Sequence, residues 1–306
     1  MNSKPYVIFS RHFDPQSANT YSRIIQILGN NNVELAIWGT LYDQMLAAGF
    51  ADANRVSRLD DSTDISHAAA VLSVGGDGTF LAAAKMVMHS AVPVLGINCG
   101  RLGFLSDVPP DALTDALADV LSGNYRLVDV PVLNMYVGSQ REPLGYAINE
   151  FAVSKCDGSS MLTVDAYVDG DFLTSYWADG LIIATATGST AYSLSVGGPI
   201  VSPSTPSLVL SPVAPHNLTI RPLVLPDNVA ITLHVDGRGD CFMVAFDGQT
   251  QLLKTGSWLR IAKSKLAVKR IQLSSYSFFA TIREKLMWGA DMRNKQITLH
   301  SLPPDD

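Results

Sequence analysis

The sequence predicts an α/β fold: a parallel sheet flanked by helices, joined to a β-rich second part, with a C-terminal helix returning to the first. Three observations carry that expectation. Apolar runs of strand length alternate with helix-period segments up to about residue 128. From about residue 129 the apolar spacing changes to period two, with Asp-Gly between runs. A helical pattern then returns at residue 277.

The elements follow in order. Tyr6 to Ser10 reads as a strand. A helix comes next, with Tyr21, Ile24, Ile25 and Leu28 on one face and Gly29 at its end. Val33 to Trp38 is a second strand, and Thr40 to Ala48 a short helix closed by Gly49. Ala69 to Val74 and Val92 to Ile97 read as buried strands, separated by a helix. Pro109-Pro110-Asp111 opens a helix bearing Leu113, Ala116, Leu117, Val120 and Leu121. Beyond it, Leu162 to Val168 and Phe172 to Trp177 flank Asp169-Gly170. Val229 to Val235 precedes Asp236-Gly237, and Phe242 to Phe246 precedes Asp247-Gly248. These read as hairpins, with Asp169, Asp236 and Asp247 as plain turn residues. Ser277 caps a last helix carrying Phe278, Phe279, Ile282 and Leu286 and ended by Gly289. The expected division is residues 1–128 with 277–306 as an α/β unit, and residues 129–276 as a β-rich unit.

Composition narrows the function. With 306 residues, 47% hydrophobic and 16% charged, the chain buries a sizeable core and is not disordered. A net charge of −6 argues against a general nucleic-acid binder. The main basic cluster, Lys254 to Arg270, falls in a strand-like segment and reads as a solvated face. Cys99, Cys156 and Cys241 lack metal-ligand spacing, and their odd count and wide separation point to a reducing compartment. The six histidines form no HxxxH or HExxH pair, so no structural zinc is expected. The apolar stretch near the N-terminus is too short for a signal-peptide core, and no run has transmembrane length. The expected setting is the cytoplasm, with no membrane partner.

The chemistry concentrates in a few segments. In AAVLSVGGDGTF (residues 69–80), a strand runs into Gly75-Gly76-Asp77-Gly78-Thr79 and then a helix. Glycine lets a ligand approach the backbone, and the first amides of a helix are unpaired donors that suit phosphate. A carboxylate among such donors can take a proton from a hydroxyl beside a phosphoryl group. In ATATGSTAYSLS (residues 184–195), five Ser and Thr hydroxyls fall within nine positions around Gly188. Hydroxyls and amides there can bind phosphate or ribose oxygens, and Tyr192 can stack on a base. Gly197-Gly198-Pro199 then stops a short helix. Asn149-Glu150, after strand-like Leu144 to Ile148, can present donors and an acceptor to a purine edge. Asp-Gly occurs six times, so the dipeptide carries no functional weight by itself.

Together these segments resemble the NAD kinase family. The matching motifs are GGDGT (75–79), Gly100-Arg101-Leu102-Gly103-Phe104-Leu105, Asn149-Glu150, Asp179-Gly180 with TGSTAY (187–192), GGPI (197–200), and Pro215-His216-Asn217-Leu218 before Arg221-Pro222. GGDGT alone is shared with lipid kinases and phosphofructokinases; the later motifs are more specific. The resemblance implies phosphoryl transfer from ATP, or polyphosphate, to the 2′-hydroxyl of the adenosine ribose of NAD. It implies Asp77 as general base and Gly78 beside it. Asn149, Glu150 and Asp179 look like contacts to the dinucleotide, Asp179 across a subunit interface. Thr190, Ala191, Tyr192, Ser193, Leu194 and Ser195 look like the adenosine pocket, and Ala214 and Gln249 match further family contacts. It also implies a homodimer or homotetramer. No dense Asp/Glu cluster marks a metal cage, so Mg²⁺ or another divalent cation is expected to arrive with ATP. Two departures stand out: Ala186 where the family often has Pro, and Trp177 where several relatives carry a basic residue. A lipid kinase on the same scaffold and a non-catalytic dinucleotide sensor are the competing readings.

Overall fold

The computed structural model describes residues 4–60, 62–100, 103–156 and 161–289. Arg101, Leu102 and the tail beyond residue 289 lie outside them, as does residue 157 with its Asp-Gly.

The first part runs β1 (Tyr6–Phe9), α1 (Ala18–Asn30), β2 (Leu35–Trp38), α2 (Gly39–Ala47), β3 (Ser57–Leu59), β4 (Ala70–Val74), α3 (Asp77–Val87), β5 (Val94–Ile97) and α4 (Leu113–Ser122). The second contains β6 (Tyr125–Val137), β7 (Gly145–Ala147), β8 (Glu150–Lys155), β9 (Leu162–Val168), β10 (Asp171–Ala178), β11 (Gly180–Thr185), α5 (Tyr192–Ser195), β12 (Ser207–Val213) and β13 (Leu223–Pro226). It continues through β14 (Ile231–Gly237), β15 (Cys241–Phe246), β16 (Gln249–Lys254) and β17 (Ser257–Leu273) to α6 (Phe278–Leu286).

The order β5-β4-β1-β2-β3 is parallel throughout, as short βαβ crossovers require. β4 is buried at every residue, which explains its unbroken apolar run. One face packs Ile8, Leu72 and Leu95 against α1, α2 and α4. The other packs Val71 and Val94 against Phe80, Ala83 and Val87 of α3. The second part closes a core between two sheets, with Phe151, Ile183 and Phe242 facing Val164, Leu233 and Ile261.

Two long strands tie the parts together. β6 and β17 pair antiparallel along nearly their whole lengths, and Arg270 of β17 also pairs in parallel with Val94 of β5. A single 11-stranded sheet therefore spans both parts, and position 128/129 falls inside β6.

Several local expectations are corrected. Helix α1 runs past Gly29 to Asn30. Helix α4 starts at Leu113, because Ala112 still closes a turn onto Pro109; Gly123, at φ +80°, ends it. Asp236-Gly237 is no hairpin: β14 pairs through Gly237 with Leu162, and the chain then crosses to the six-stranded sheet. Ser277 does cap α6, accepting from Ala280 N, but the helix stops at Leu286 where Met287 turns to φ +50°, before Gly289. Arg270 is not on a solvated face. It is buried, 2.9 Å from Asp107, with its guanidinium over the Tyr276 ring. Burial pushes the Asp107 carboxyl up, and the Arg270 charge only partly offsets this. Cys156 and Cys241, far apart in sequence, meet at the ends of β8 and β15 with their Sγ atoms 2.8 Å apart as thiols.

Candidate active site

Asp77 is the first residue of α3, at the carboxyl end of β4. Gly75 takes φ +151°, and a Cβ there would strike the Thr79 side chain. The carboxylate does not cap its own helix. Its Oδ1 accepts from Leu105 N (2.9 Å) and Ser106 N (3.0 Å), and its Oδ2 from Phe104 N (3.0 Å) and Lys285 Nζ (3.2 Å). Gly103 is required next to it, since a Cβ there would overlap Asp77 Oδ1. Burial pushes the Asp77 carboxyl up. The Ser106 amide, the Lys285 charge and the Phe104 and Leu105 amides outweigh it and hold the group below the usual carboxylate range. It is ionised at neutral pH.

Two cavities are lined by residues next to Asp77 in sequence or bonded to its carboxylate. One of about 500 Å³ is lined by Gly75, Gly76, Gly78, Thr79 and Arg11. The other, about 800 Å³, is lined by Phe104, Leu105, Thr187, Thr190, Tyr276 and Phe278 among others. Thr187 and Thr190 bring the hydroxyl-rich loop to the same cleft as the residues that hold Asp77.

That loop leaves β11 and packs on the Asn149-Glu150 corner. Gly188 N donates to Thr185 Oγ1 (3.0 Å), which itself donates to Ile148 O (2.7 Å). Thr185 N donates to Asn149 O at 2.8 Å. Ala191 N closes a turn onto Gly188 O, leaving Tyr192 44% exposed at the start of α5. Leu194 is half-buried and Ser195 exposed. Ser193 is different: it is buried, with its hydroxyl 2.8 Å from Ser211 Oγ on the far side of the loop.

Asp247 corrects the sequence reading most. It is a hairpin residue, at φ +44°, but not a plain one. Its carboxylate turns inward and accepts from Ile148 N (2.6 Å) and Asn149 N (3.0 Å), so it builds the Asn149-Glu150 corner. Lys85 of α3 donates to Asp247 O at 3.1 Å and to Gln249 Oε1 at 3.4 Å, linking the GGDGT helix to this corner. Burial raises the Asp247 carboxyl despite those donors. Glu150 is raised to about 8, by burial first and the neighbouring Asp247 charge second, against a hydrogen bond from Tyr192 N. Its Oε2 is buried without a hydrogen-bond partner in the structure. The shift favours the neutral acid form of Glu150, which can donate as well as accept. The signal for Asp247 was its place two residues before Gln249, which the Asp-Gly turn reading absorbed.

Asp179 and Ala214 sit elsewhere. Asp179 precedes β11, donates its N–H to Val213 O, and pairs with Lys155 at 2.7 Å. Ala214, at φ +45°, follows β12 beside it. Asp179 stands six positions from Thr185 along β11, about 20 Å at strand rise. Within one chain they do not line the Thr187–Thr190 cleft. The exposed Trp177 lies at the same remote corner.

A Gly-Gly-Asp-Gly turn at the carboxyl edge of a parallel sheet, its carboxylate held by a loop that lines a hydroxyl-bearing cleft, fits a nucleotide-binding α/β protein of the kinase type. The ATP-NAD kinase N-terminal domain matches residues 7–125, and the ATP-NAD kinase C-terminal domain matches residues 148–273. The chain is 41% identical over 295 residues to an NAD kinase of Flavobacterium johnsoniae, covering 94% of this chain and 99% of that protein. It is 34% identical over 290 residues to one of Cytophaga hutchinsonii, with the same coverage. Its fold is similar to that of yeast NADH kinase crystallised with NADH (TM-score 0.83, 24% identity, 95% of this chain and 89% of that one). An Archaeoglobus fulgidus NAD kinase crystallised with ATP has the fold at TM-score 0.66 and 23% identity, over 94% of this chain and 97% of that one. The chain belongs to the NAD kinase family.

Proposed function

We propose that this chain is an ATP-dependent NAD kinase, phosphorylating the 2′-hydroxyl of the adenosine ribose of NAD, with Asp77 as general base. The observation that carries the reading is the ionised Asp77, whose neighbours Gly76 and Gly78 line one cavity and whose donors Phe104 and Leu105 line the other, beside Thr187 and Thr190. A ribose hydroxyl is a poor nucleophile at neutral pH. A positioned carboxylate accepts its proton as the oxygen attacks phosphorus, and the rest of the catalysis is positioning and charge neutralisation. Thr190, Ala191 and Tyr192 offer the adenosine a hydroxyl, an amide turn and a ring face. Glu150 and Asn149 offer donors and acceptors to the purine edge. Ser193 contributes through its backbone, its hydroxyl being engaged behind the loop. Gln249 is placed to steady Lys85.

Mg²⁺, a hard cation preferring oxygen ligands and water, is best carried by the ATP phosphates, whose charge it neutralises. Among the described residues no three His, Cys, Asp or Glu side chains cluster as a metal cage. Among them, too, no helix is long and apolar enough to cross a membrane. The thiols fit a cytoplasmic setting. The direct test is an end-point assay for NADP with NAD, ATP and Mg²⁺, beside a short-chain diacylglycerol as rival acceptor. NADP formation is expected. Lipid phosphorylation without NADP, or tight NAD binding without turnover, overturns the reading.

Tyr192→Ala is expected to raise KM for NAD far more than it lowers kcat. Losing one stacking face costs on the order of 1–3 kcal/mol of binding, and ground and transition states share that contact. Steady-state kinetics decide: an unchanged KM with a collapsed kcat would place Tyr192 in the chemical step instead.

Self-association is the second expectation. Asp179 and Ala214 lie too far from their own chain's cleft to serve it, while the corner they form exposes Trp177 at 56% and Met161 at 42%. A second copy brings such a corner to the dinucleotide site. Light scattering at micromolar concentration should report a dimer or tetramer. A fully active monomer of 32.9 kDa contradicts it.

A further inference from the structure

The one side chain that bonds the Asp77 carboxylate is Lys285 of α6, a residue the sequence analysis does not single out. Its ammonium is 3.2 Å from Asp77 Oδ2 and 4.5 Å above the Phe104 ring. Phe278, the first residue of the same helix, packs on Phe104 at 6.1 Å between ring centroids and lines the larger cavity. Helix α6 therefore forms a wall of the cleft, and Lys285 is the cation it presents to the carboxylate.

A carboxylate has about four lone-pair directions. Here four donors occupy them: three backbone amides and Lys285. A general base needs one direction for the hydroxyl it deprotonates, within hydrogen-bond reach. The amides of Phe104, Leu105 and Ser106 cannot give way easily. Their loop is fixed by Gly103 N on Ser106 O (3.1 Å) and Asn98 Nδ2 on the same oxygen (3.1 Å). Lys285 is the donor on a flexible stem, with its side chain 32% exposed. The hydroxyl thus enters at Oδ2 by displacing the ammonium. The group that then lies beside Asp77 and the attacking oxygen is the transferring phosphoryl, which carries the negative charge a lysine neutralises as a mobile point charge.

We propose that Lys285 is a catalytic residue of the phosphoryl transfer: it yields Asp77 Oδ2 to the entering ribose hydroxyl and moves onto the phosphoryl oxygens. This rests on the kinase reading above. The ribose oxygen forms a bond to the γ-phosphorus as the bond to the ADP oxygen breaks. The hydroxyl proton goes to Asp77, and Lys285 keeps its own protons throughout.

The charged and titratable groups facing Asp77 are Lys285 from α6, Arg11 beyond β1 near Gly78, and Asp107, Arg270 and Tyr276 behind the 104–106 loop. Of these, Lys285 alone bonds the carboxylate. Removing it takes away a cation that holds the Asp77 carboxyl down, while burial still pushes it up. The acid limb of kcat/KM then moves to higher pH.

The experiment compares wild type, Lys285→Met and Lys285→Arg on the full chain with NAD, ATP and Mg²⁺. Expected for Lys285→Met is a kcat loss on the order of 10²-fold, the scale of removing one transition-state donor. KM for NAD should stay within a few-fold, the acid limb should move upward, and Lys285→Arg should recover part of the rate. A kcat for Lys285→Met within threefold of wild type overturns the proposal, as does a loss confined to thermal stability with an unmoved acid limb. Wild type that makes no NADP sinks the kinase reading itself. Wild type that is active, killed by Asp77→Asn and indifferent to Lys285→Met, sinks only the role of Lys285.

Discussion

Asp77→Asn is expected to abolish most turnover, with kcat for NADP formation falling ~10²–10⁴-fold, the usual contribution of a general base. The amide cannot accept the ribose proton, so the attacking oxygen stays protonated. Binding of NAD should persist, because the Thr190–Tyr192 loop and the Asn149-Glu150 corner rest on Thr185 and Asp247 rather than on Asp77. The fold should persist too, with a modest loss. All four donors to Asp77 point at acceptors, and an amide nitrogen in place of one oxygen faces donors only. With the nitrogen in place of Oδ2, two bonds are lost: Lys285 swings away to solvent, and the one amide left unpaired, Phe104 N, costs about 1–3 kcal/mol. Calorimetric Kd for NAD, kcat and Tm separate the three effects. If kcat stays within a few-fold of wild type, Asp77 is not the base and the mechanism is wrong.

That environment also sets a pH dependence of stability. The folded Asp77 carboxyl is held below its unfolded value, so its contribution is present above the unfolded pKa and is lost as pH falls through the folded one. Glu150 has the opposite sign. Its folded value near 8 exceeds the unfolded one, so its contribution is present in acid and is lost as pH rises through about 8.

How far the sequence reveals this depends on whether a feature is local. The strand, glycine turn and helix around Asp77 are written in adjacent residues, so periodicity and glycine placement locate them. The hydroxyl loop is legible for the same reason. Partners at long separation are not. Lys285 reaches Asp77 across 208 positions, and Lys85 reaches the Asp247 hairpin across 162. Nothing in the spacing of α6 marks Lys285 apart from its neighbours Arg283 and Glu284. Asp247 is misread because Asp-Gly is an adequate turn sequence in its own right, and only the fold shows which way the carboxylate turns. Arg270 is misread because period two gives alternation without saying which side of a strand is covered when another sheet joins it. The two-part division meets the same limit: the pattern changes near residue 129, but β6 runs through the change as one continuous strand paired with β17.

Gly188→Ala is expected to damage both stability and substrate binding, for a reason that the loop sequence alone does not contain. A methyl group at Gly188 would overlap the backbone O, C and Cα of Asn149. None of these is the end of a flexible side chain. Asn149 is held by Asp247 on one side and Thr185 N on the other, and the next residues pair Glu150 with Ala184 across β8 and β11. Either the hydroxyl loop lifts from the corner or the corner shifts away from Asp247. Overpacking of this kind costs about 1–3 kcal/mol. Both relaxations separate Thr190 and Tyr192 from Asn149 and Glu150, so KM for NAD should rise about tenfold or more, the equivalent of ~1.4 kcal/mol. Gly29→Ala is the matched control. It lies exposed in α1 with nothing within 4 Å of the added carbon. It should stabilise the protein by roughly 0.5–1 kcal/mol, since glycine is unfavourable in a helix, and leave KM unchanged. Tm and steady-state kinetics on both variants decide the matter. Wild-type KM and Tm for Gly188→Ala would mean that the loop is not held against Asn149, and that the two halves of the proposed adenosine site do not meet as described.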